Sequence, residues 1–391
     1  MSKVFEEPFV TPPAWPQYDD TEREALLRVL DRGQWWRGDG GEVQAFEEEL
    51  AQFHNAPAAL AVTNGTHAIE LALMTEGVGK SDEVLVPAFT FISTAIAVQR
   101  IGATPIPVDV ELDTYNIAHD AARAALTDRT RAVIPVHMAG QMVDLPALDA
   151  ALASRGPVVI QDAAHAHGAR WDGRALGEFG STAILSFQAY KLMTAGEGGA
   201  LLFADHARRE RAERIHNCGR SLNATDYSHE LSGSNFRMSE FSGALLRCQL
   251  RRLREHTMQR ETNAALLRQR LGHLPGLHLP ARREACEIHP HYMFMFRLES
   301  EFSDSSRRDG FVRSARERGI PAQVAYPPVY RCGAFWPAGE SEGREDYWAS
   351  ICPNAEQIGK EGVWIHHRVL LGATGEVDRL AEAIASILLR M

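Results

Sequence analysis

The chain has 391 residues, of which 45% are hydrophobic, so it can bury a large core and exceeds the usual size of one domain. Its formal net charge of -10, without a basic cluster interleaved with aromatic residues, argues against nucleic acid as a partner. The acidic N-terminus lacks an apolar segment, and no apolar run approaches a membrane span. We therefore expect a cytoplasmic protein with no membrane partner.

The first half of the chain alternates between helix and strand patterns. Residues 1–20 contain four prolines and few periodic apolar positions, which predicts an irregular N-terminal arm. Helix patterns follow over residues 21–33 and 41–54. Short apolar strands then alternate with helical stretches over residues 55–205, which is typical of a doubly wound sheet.

The second half of the chain has a different pattern of predicted helices and strands. A long helical pattern covers residues 240–271, and shorter strands with two helices follow from about residue 276. The whole pattern predicts an α/β fold with a large domain over residues 21–255. A smaller C-terminal α+β domain is predicted over residues 256–391.

Lys191 lies in a segment with the character of a reactive site. It follows the apolar run 183–185 and precedes the glycine-rich turn 196–199. A lysine amine becomes a nucleophile when it is desolvated or lies beside another cation, and the end of a strand offers such a place. The alternative is a solvated surface lysine, because most lysines are exposed.

A second segment strengthens the first interpretation. Residues 156–165 read as a short buried strand with Asp162 at its C-terminal end, the end at which open parallel sheets bind ligands. An aspartate on the pyridine nitrogen and a Schiff-base lysine are the usual protein partners of pyridoxal phosphate. Asp162 and Lys191 would stand at the ends of consecutive predicted strands.

A third segment suits the phosphate of that cofactor. Residues 60–73 lead from a turn of small residues into a helix, whose first free amides and Thr66 hydroxyl could bind an anion. An ordinary capped helix without a ligand is the alternative. The position of this segment before Asp162 and Lys191 favours the phosphate site.

These segments together resemble the DegT/DnrJ/StrS aminotransferase family. The resemblance spans nearly the whole chain and rests on residues 64–66, 87–91, 136–140, 162–165, 186–188 with Lys191, and 233–238. Within the family, the chain is most similar to the branch that synthesises 3-amino-5-hydroxybenzoate, through residues 15–20, 33–37, 161–168, 191–199, 291–293 and 364–371. The resemblance implies the type I fold of pyridoxal-phosphate enzymes, with a seven-stranded type of mixed sheet, and a homodimer with shared active sites.

The resemblance also implies how the phosphate is held. Gly65 should bind it through the backbone, and Thr66 and Ser186 through their hydroxyls. Asn235 should reach the phosphate that the neighbouring subunit binds. The pocket would therefore need a second copy of the chain.

Four further residues are implied around the cofactor ring. Phe91 should stack on it, and His165 should lie near its phenolic oxygen. Asp162 should pair with the pyridine nitrogen, and Lys191 should form the Schiff base. In the implied mechanism an amine substrate displaces Lys191, which then transfers the proton next to the imine carbon. Lys191, Asp162 and His165 are therefore the predicted catalytic residues.

The implied substrate is 5-amino-5-deoxy-3-dehydroshikimate, which carries a carboxylate. Arg368, His366 and His367 are candidates to bind that group, because a guanidinium can hold a carboxylate through two parallel hydrogen bonds. An exposed surface arginine is the alternative for Arg368. Gln188 and Tyr190 are close to the lysine in sequence and should shape selectivity.

Three functions fit the sequence. The first is a dehydrating, aromatising enzyme that forms a 3-aminobenzoate-type product. The second is a glutamate- or glutamine-dependent aminotransferase acting on 3-dehydroshikimate, a nucleotide keto-sugar or a cyclitol. The third is a regulatory module that binds the cofactor without catalysis, against which Lys191 argues. The similar synthases carry Asn-Gly where this chain has Ala189-Tyr190, which bears on the choice of substrate.

Cysteine and histidine spacing favours no metal site. The five cysteines are scattered and lack CxxC spacing, which suits reduced thiols in a reducing compartment. The pairs His165 with His167 and His366 with His367 would need further ligands to hold zinc. Imidazoles beside a cofactor explain these pairs better.

Overall fold

The computed structural model describes residues 10–152, 156–221, 226–299, 305–336 and 343–391. Its strands are β1 (Ala58–Val62), β2 (Glu83–Pro87), β3 (Thr104–Val108), β4 (Thr130–Val133), β5 (Val158–Asp162), β6 (Arg170–Trp171), β7 (Arg174–Ala175), β8 (Thr182–Ser186), β9 (Gly199–Phe203), β10 (Leu277–His278), β11 (Met293–Leu298), β12 (Ala322–Val324) and β13 (Gly362–His366).

Twelve α-helices lie in the described ranges. They are α1 (Asp20–Arg32), α2 (Glu42–Phe53), α3 (Gly65–Thr75), α4 (Ser93–Arg100), α5 (His119–Ala124), α6 (Leu145–Leu152), α7 (His206–His216), α8 (Glu240–Leu271), α9 (Ser306–Glu317), α10 (Arg344–Ile351), α11 (Pro353–Glu361) and α12 (Thr374–Leu388). Residues 10–19 form neither helix nor strand, and residues 1–9 of the predicted arm lie outside the described part.

A seven-stranded mixed sheet organises the first half of the chain, in the order β1-β9-β8-β5-β4-β2-β3. Strand β9 is antiparallel to both of its neighbours, and the other six strands run in one direction. Strands β2, β8 and β9 are buried at every residue, as a sheet covered by helices on both faces requires. The predicted doubly wound α/β sheet is confirmed.

Because they run in one direction, strands β1, β2, β4, β5 and β8 have their carboxyl ends at the same edge of the sheet. Helix α3 begins immediately after β1, and helix α4 begins shortly after β2. Residues from distant segments of the sequence therefore meet at this edge.

Helix α8 links the large sheet to the C-terminal part. Its first half contributes Leu246, Leu250 and Leu253 to the main apolar core. Its second half contributes Leu267 and Leu271 to a separate core. The predicted domain boundary at residues 255/256 lies between these two groups, inside one continuous helix, and it stays a prediction.

The C-terminal part is built on a four-stranded antiparallel sheet in the order β10-β11-β13-β12. Helices α9 and α12 cover it, with Phe296, Phe311 and Ile384 in its core. None of the described helices is both long and apolar enough to cross a membrane. Strand β13 ends at His366, so three predicted substrate residues, His366, His367 and Arg368, lie at the end of this strand.

Candidate active site

The N-terminus of α3 packs closely against the end of β8 and the start of β9. The Asn64 side chain caps the helix by accepting a hydrogen bond from the His67 amide at 2.8 Å. A Cβ on Gly65 would lie 2.8 Å from the Ser186 Cβ and 3.1 Å from its Oγ. A Cβ on Gly199 would lie 2.8 Å from the Gly65 nitrogen. Only glycines allow these backbones to approach so closely.

This packed helix start, the Gly65 cradle, fits a phosphate group. The first turn of a helix presents unpaired amides and a partial positive charge, which suit an anion. Thr66 stands in that turn, and Ser186 packs against Gly65 from the end of β8. The structure therefore brings Gly65 and Ser186 together, with Thr66 next in the chain.

Asp162 ends β5 and is 5% exposed. Its Oδ2 accepts a hydrogen bond from the Thr94 hydroxyl at 2.9 Å, and its Oδ1 accepts one from the Ala164 amide at 3.2 Å. Burial raises the pKa of the carboxyl, and the two hydrogen bonds and the charge of Lys191 act to lower it. The carboxylate is thus fixed in orientation and has lone pairs left for a third partner.

Lys191 lies on the loop after β8. Burial lowers the pKa of its amine to about 8, against the opposing effect of the Asp162 charge. Its Nζ stands 4.3 Å from the centroid of the Tyr292 ring. An amine with this pKa is partly neutral near pH 7 and can act as a nucleophile or a base.

His165 is buried at the same site and contacts Tyr292, as Lys191 does. It is 3% exposed, and its ring stacks on Tyr292 at 4.3 Å between centroids and 22° between planes. Burial lowers the pKa of His165 well below its ordinary value, so the imidazole is neutral. Its Nδ1 has no hydrogen-bond partner among the described residues. This orphaned nitrogen can bond to a polar group of a bound ring.

Two residues of this site have no role in the sequence interpretation. Thr94 contacts Asp162, which lies 68 residues further along the chain. Tyr292 contacts both Lys191 and His165. Residues 291–293 contribute to the family resemblance, but nothing local in the sequence indicates which site group Tyr292 would touch.

The predicted substrate residues His366 and His367 contact Tyr190, on the loop that carries Lys191. His367 donates from Nε2 to the Tyr190 carbonyl at 3.1 Å and stacks on His366 at 4.3 Å between ring centroids. The Tyr190 ring is 61% exposed and meets the His366 ring edge-on at 5.7 Å. Gln188 accepts the Tyr190 amide on its Oε1 at 2.9 Å, so that oxygen is engaged with the loop backbone.

His366 and Arg368 keep polar groups available. Burial lowers the pKa of His366 to about 4. Its Nδ1 accepts the Arg368 amide at 3.2 Å, so the neutral ring carries its proton on Nε2, which has no partner among the described residues. The half-buried Arg368 forms no ion pair within the described ranges. Both groups can face an anionic or hydroxylated substrate.

Phe91 and Asn235 are less enclosed. Phe91 precedes α4, is 52% exposed and lies 5.7 Å from the Tyr326 ring. Asn235 is exposed, and its Oδ1 accepts the Arg237 amide at 3.3 Å. No hydrogen bond between described residues of one chain joins Asn235 to the other cofactor-site residues. Its role across subunits stays a prediction.

Metal-ligating side chains do not cluster in the part of the chain that the structure describes: no group of three or more His, Cys, Asp or Glu residues there could hold an ion. The buried histidines of the site instead face aromatic rings and backbone groups.

Comparison with known proteins shows which family and which relatives the chain is similar to. The model of the DegT/DnrJ/EryC1/StrS aminotransferase family matches residues 16–385. The 3-amino-5-hydroxybenzoate synthase of Amycolatopsis mediterranei is 48% identical over 380 residues, which cover 97% of each chain. The L-glutamine:2-deoxy-scyllo-inosose aminotransferase of Streptomyces fradiae is 32% identical over 399 residues, covering 96% of this chain and 94% of that protein.

A solved structure agrees with these relatives. The crystal structure of a 3-amino-5-hydroxybenzoic acid synthase matches with a TM-score of 0.95 and 47% identity, covering 98% of this chain and 100% of the other. The cradle at Gly65, the fixed carboxylate of Asp162 and the low-pKa amine of Lys191 fit a phosphorylated pyridine aldehyde. The chain belongs to the DegT/DnrJ/EryC1/StrS aminotransferase family and is a pyridoxal-phosphate-dependent enzyme.

Proposed function

We propose that this enzyme converts 5-amino-5-deoxy-3-dehydroshikimate, with loss of water, into an aromatic 3-aminobenzoate product, as a 3-amino-5-hydroxybenzoate synthase. The observation that carries this choice is the 48% identity to such a synthase over 97% of both chains. The glutamine-dependent aminotransferase of Streptomyces fradiae is 32% identical over a similar length. The substrate class therefore follows the more similar relative.

Each group of the site has a part in holding the cofactor. The amides at the start of α3, with Thr66 and Ser186, would bind the phosphate. Asp162 would hold the proton on the pyridine nitrogen, and Phe91 would pack on one face of the ring. Bound pyridoxal phosphate supplies an electron-poor ring that stores the electrons released when a C–H bond of the substrate breaks.

Lys191 and His165 then act on protons and oxygen atoms. The Lys191 amine would hold the bound cofactor covalently, and its Nζ, once free, would accept the proton from the substrate carbon. Support comes from the pKa of about 8, which leaves part of the amine neutral. The Nδ1 of His165, which has no partner among the described residues, would orient the phenolic oxygen edge of the ring.

The substrate carboxylate is assigned to Arg368 and His366. Arg368 has no internal ion pair within the described residues, and His366 offers an unpaired Nε2 donor beside it. Tyr190 stands opposite His366, at a position where the family resemblance implies a glycine. Gln188, His367 and the Tyr190 ring would restrict the shape of the substrate from this side.

We also propose a cytoplasmic homodimer. The exposed Asn235 and the half-exposed Phe91 are explained if each pocket is closed by a second copy, with Asn235 on the partner's phosphate. The five cysteines are free, as in proteins of a reducing compartment. No metal, nucleic acid or membrane is part of the proposal.

A second candidate is a glutamine- or glutamate-dependent aminotransferase. The aminotransferase family model covers residues 16–385, and relatives at 32% identity carry glutamine as the donor in their names. Its substrate would be a ketone, such as 3-dehydroshikimate, a nucleotide keto-sugar or a cyclitol.

One assay separates these functions. Enzyme loaded with pyridoxal phosphate is supplied with 5-amino-5-deoxy-3-dehydroshikimate and no amino donor, and products are identified by ultraviolet absorbance and mass. We expect an aromatic product lighter than the substrate by one water. Lys191→Ala should give none, while Lys80→Ala, at an exposed lysine outside the site, should match the wild type.

Other outcomes decide against the proposal. Product formed only from a ketone with added glutamine or glutamate would establish the aminotransferase. Tight cofactor binding with no turnover of any of these substrates would favour a regulatory module.

A further inference from the structure

The Thr94 hydroxyl and the Asp162 carboxylate form a buried pair at the sheet edge. Thr94 lies in the first turn of α4 and is 2% exposed. Its Oγ1 is 2.9 Å from the Asp162 Oδ2. We propose that Thr94 is a positioning residue that fixes the Asp162 carboxylate and thereby keeps the proton on the ring nitrogen of bound pyridoxal phosphate. This inference rests on the proposed role of Asp162.

The direction of the hydrogen bond follows from its partner. An ionised carboxylate only accepts, so the Thr94 hydroxyl must donate its single proton to Asp162. The Thr90 Oγ1 lies 3.3 Å from the Thr94 Oγ1, and because the Thr94 proton is already engaged, Thr90 is the donor to it. Two buried hydroxyls thus form a chain of donors that ends on the carboxylate.

The second oxygen of Asp162 is held as well. Its Oδ1 accepts the Ala164 amide at 3.2 Å. With one donor on each oxygen, the plane of the carboxylate is fixed, and each oxygen keeps a lone pair for another N–H. Thr94 is the only side chain among the described residues that donates a hydrogen bond to this carboxylate.

Loss of the Thr94 hydroxyl would raise the pKa of Asp162. Burial raises the pKa of Asp162, and the Thr94 hydrogen bond opposes that effect by stabilising the charged form. Without the hydroxyl, the carboxylate would bind a proton more strongly. It would then compete with the ring nitrogen for the shared proton, and the ring would become a weaker acceptor of electrons.

The same turn also carries the stacking residue. The Thr94 amide donates to the Phe91 carbonyl at 3.2 Å, so Phe91 and Thr94 belong to one hydrogen-bonded turn at the start of α4. A substitution that keeps the shape of Thr94 should therefore leave Phe91 in place. Thr94→Val is such a change, and Thr94→Ser restores the hydroxyl.

The test uses holoenzyme loaded with pyridoxal phosphate that is labelled with ¹⁵N in the ring. The ¹⁵N chemical shift reports whether the nitrogen is protonated. Wild type and Thr94→Ser should show the protonated shift, whereas Thr94→Val should move toward the unprotonated shift at a lower pH. In Thr94→Val, kcat should fall roughly ten-fold or more with KM little changed, since a hydrogen bond to a charged group is lost.

An unchanged ¹⁵N titration in Thr94→Val would overturn the proposal, because a purely structural hydroxyl would leave the proton where it is. If Thr94→Val does not fold, Thr94→Ala decides by the same shift. Asp162→Asn serves as the reference: a nitrogen that is insensitive to this change would show that the assigned role of Asp162 is wrong, independently of Thr94. The shift needs no substrate, so a wrong substrate assignment does not affect the result.

Discussion

The indole Nε1 of Trp15 donates a hydrogen bond of 2.9 Å to the carbonyl of Ala189, across 174 residues of sequence. The next carbonyl, of Tyr190, accepts a hydrogen bond from His367 at 3.1 Å. The Trp15 and His367 rings meet edge-on at 4.5 Å. Two consecutive carbonyls before Lys191 are thus held by side chains from opposite ends of the chain.

Trp15→Phe should loosen this loop without removing the aromatic contact. One hydrogen bond of ordinary strength is lost, so amide hydrogen exchange over residues 189–191 should accelerate about two- to ten-fold. Hydrogen-exchange mass spectrometry measures this directly. The control is Trp35→Phe, at an indole that is 52% exposed. Equal exchange in both variants would show that the bond to Ala189 does not order the loop.

The pKa of Lys191 predicts how apo-enzyme captures its cofactor. Only the neutral amine attacks an aldehyde, so the capture rate should rise with pH and reach half its maximum near pH 8. The charge of Asp162 raises the lysine pKa, so Asp162→Asn should move this midpoint to lower pH. Stopped-flow absorbance at saturating pyridoxal phosphate gives both midpoints. A midpoint near 10, or an upward shift in Asp162→Asn, would contradict the assigned environment (~10.4 for an unperturbed lysine).

The Gly65 cradle predicts a steric effect on cofactor binding. In Gly65→Ala the new Cβ would stand 2.8 Å from the Ser186 Cβ, so the start of α3 must move away from β8. Because phosphate binding depends on these amides, the dissociation constant for pyridoxal phosphate should rise at least ~ten-fold. Equilibrium fluorescence titration measures it. Gly333→Ala is the matched control, since a Cβ there would meet no atom within 4 Å.

The sequence predicts much of this site because Asp162 and Lys191 stand at or after the ends of strands. Asp162 ends a strand and Lys191 follows one, and local apolar runs reveal both positions. The sequence does not predict the strand order. Strand β1 pairs with β9, and only the folded sheet places Gly65 beside Ser186. The sequence indicates no role for Thr94 or Tyr292, because each acts through a contact with a distant segment.

The shared-site proposal makes a prediction about mixed dimers. Lys191→Ala and Asn235→Ala should each be nearly inactive alone. If the partner subunit's Asn235 completes each pocket, a mixed dimer contains one pocket with both defects and one with neither. Differently tagged subunits, purified as the mixed species, should recover about half of the wild-type activity per dimer. A mixed dimer with no recovery, after verified subunit exchange, would place Asn235 outside the partner's site.

The assignment of the substrate carboxylate depends on Arg368, whose guanidinium has no ion pair among the described residues and whose amide donates to His366. A contact made equally with the bound substrate and with the transition state lowers KM without raising kcat. Arg368→Ala should therefore raise KM about ten- to one-hundred-fold and change kcat much less, as expected for the loss of a hydrogen bond between charged groups. Steady-state kinetics on 5-amino-5-deoxy-3-dehydroshikimate measures both constants. Arg368→Lys keeps the charge but not the geometry of two parallel hydrogen bonds, so its KM should lie between those of the wild type and Arg368→Ala.

A matched analogue with an amide in place of the carboxylate should bind wild type and Arg368→Ala alike. If Arg368→Ala instead lowers kcat at unchanged KM, or if a nucleotide keto-sugar is accepted in preference to every carboxylate, Arg368 does not bind the substrate acid.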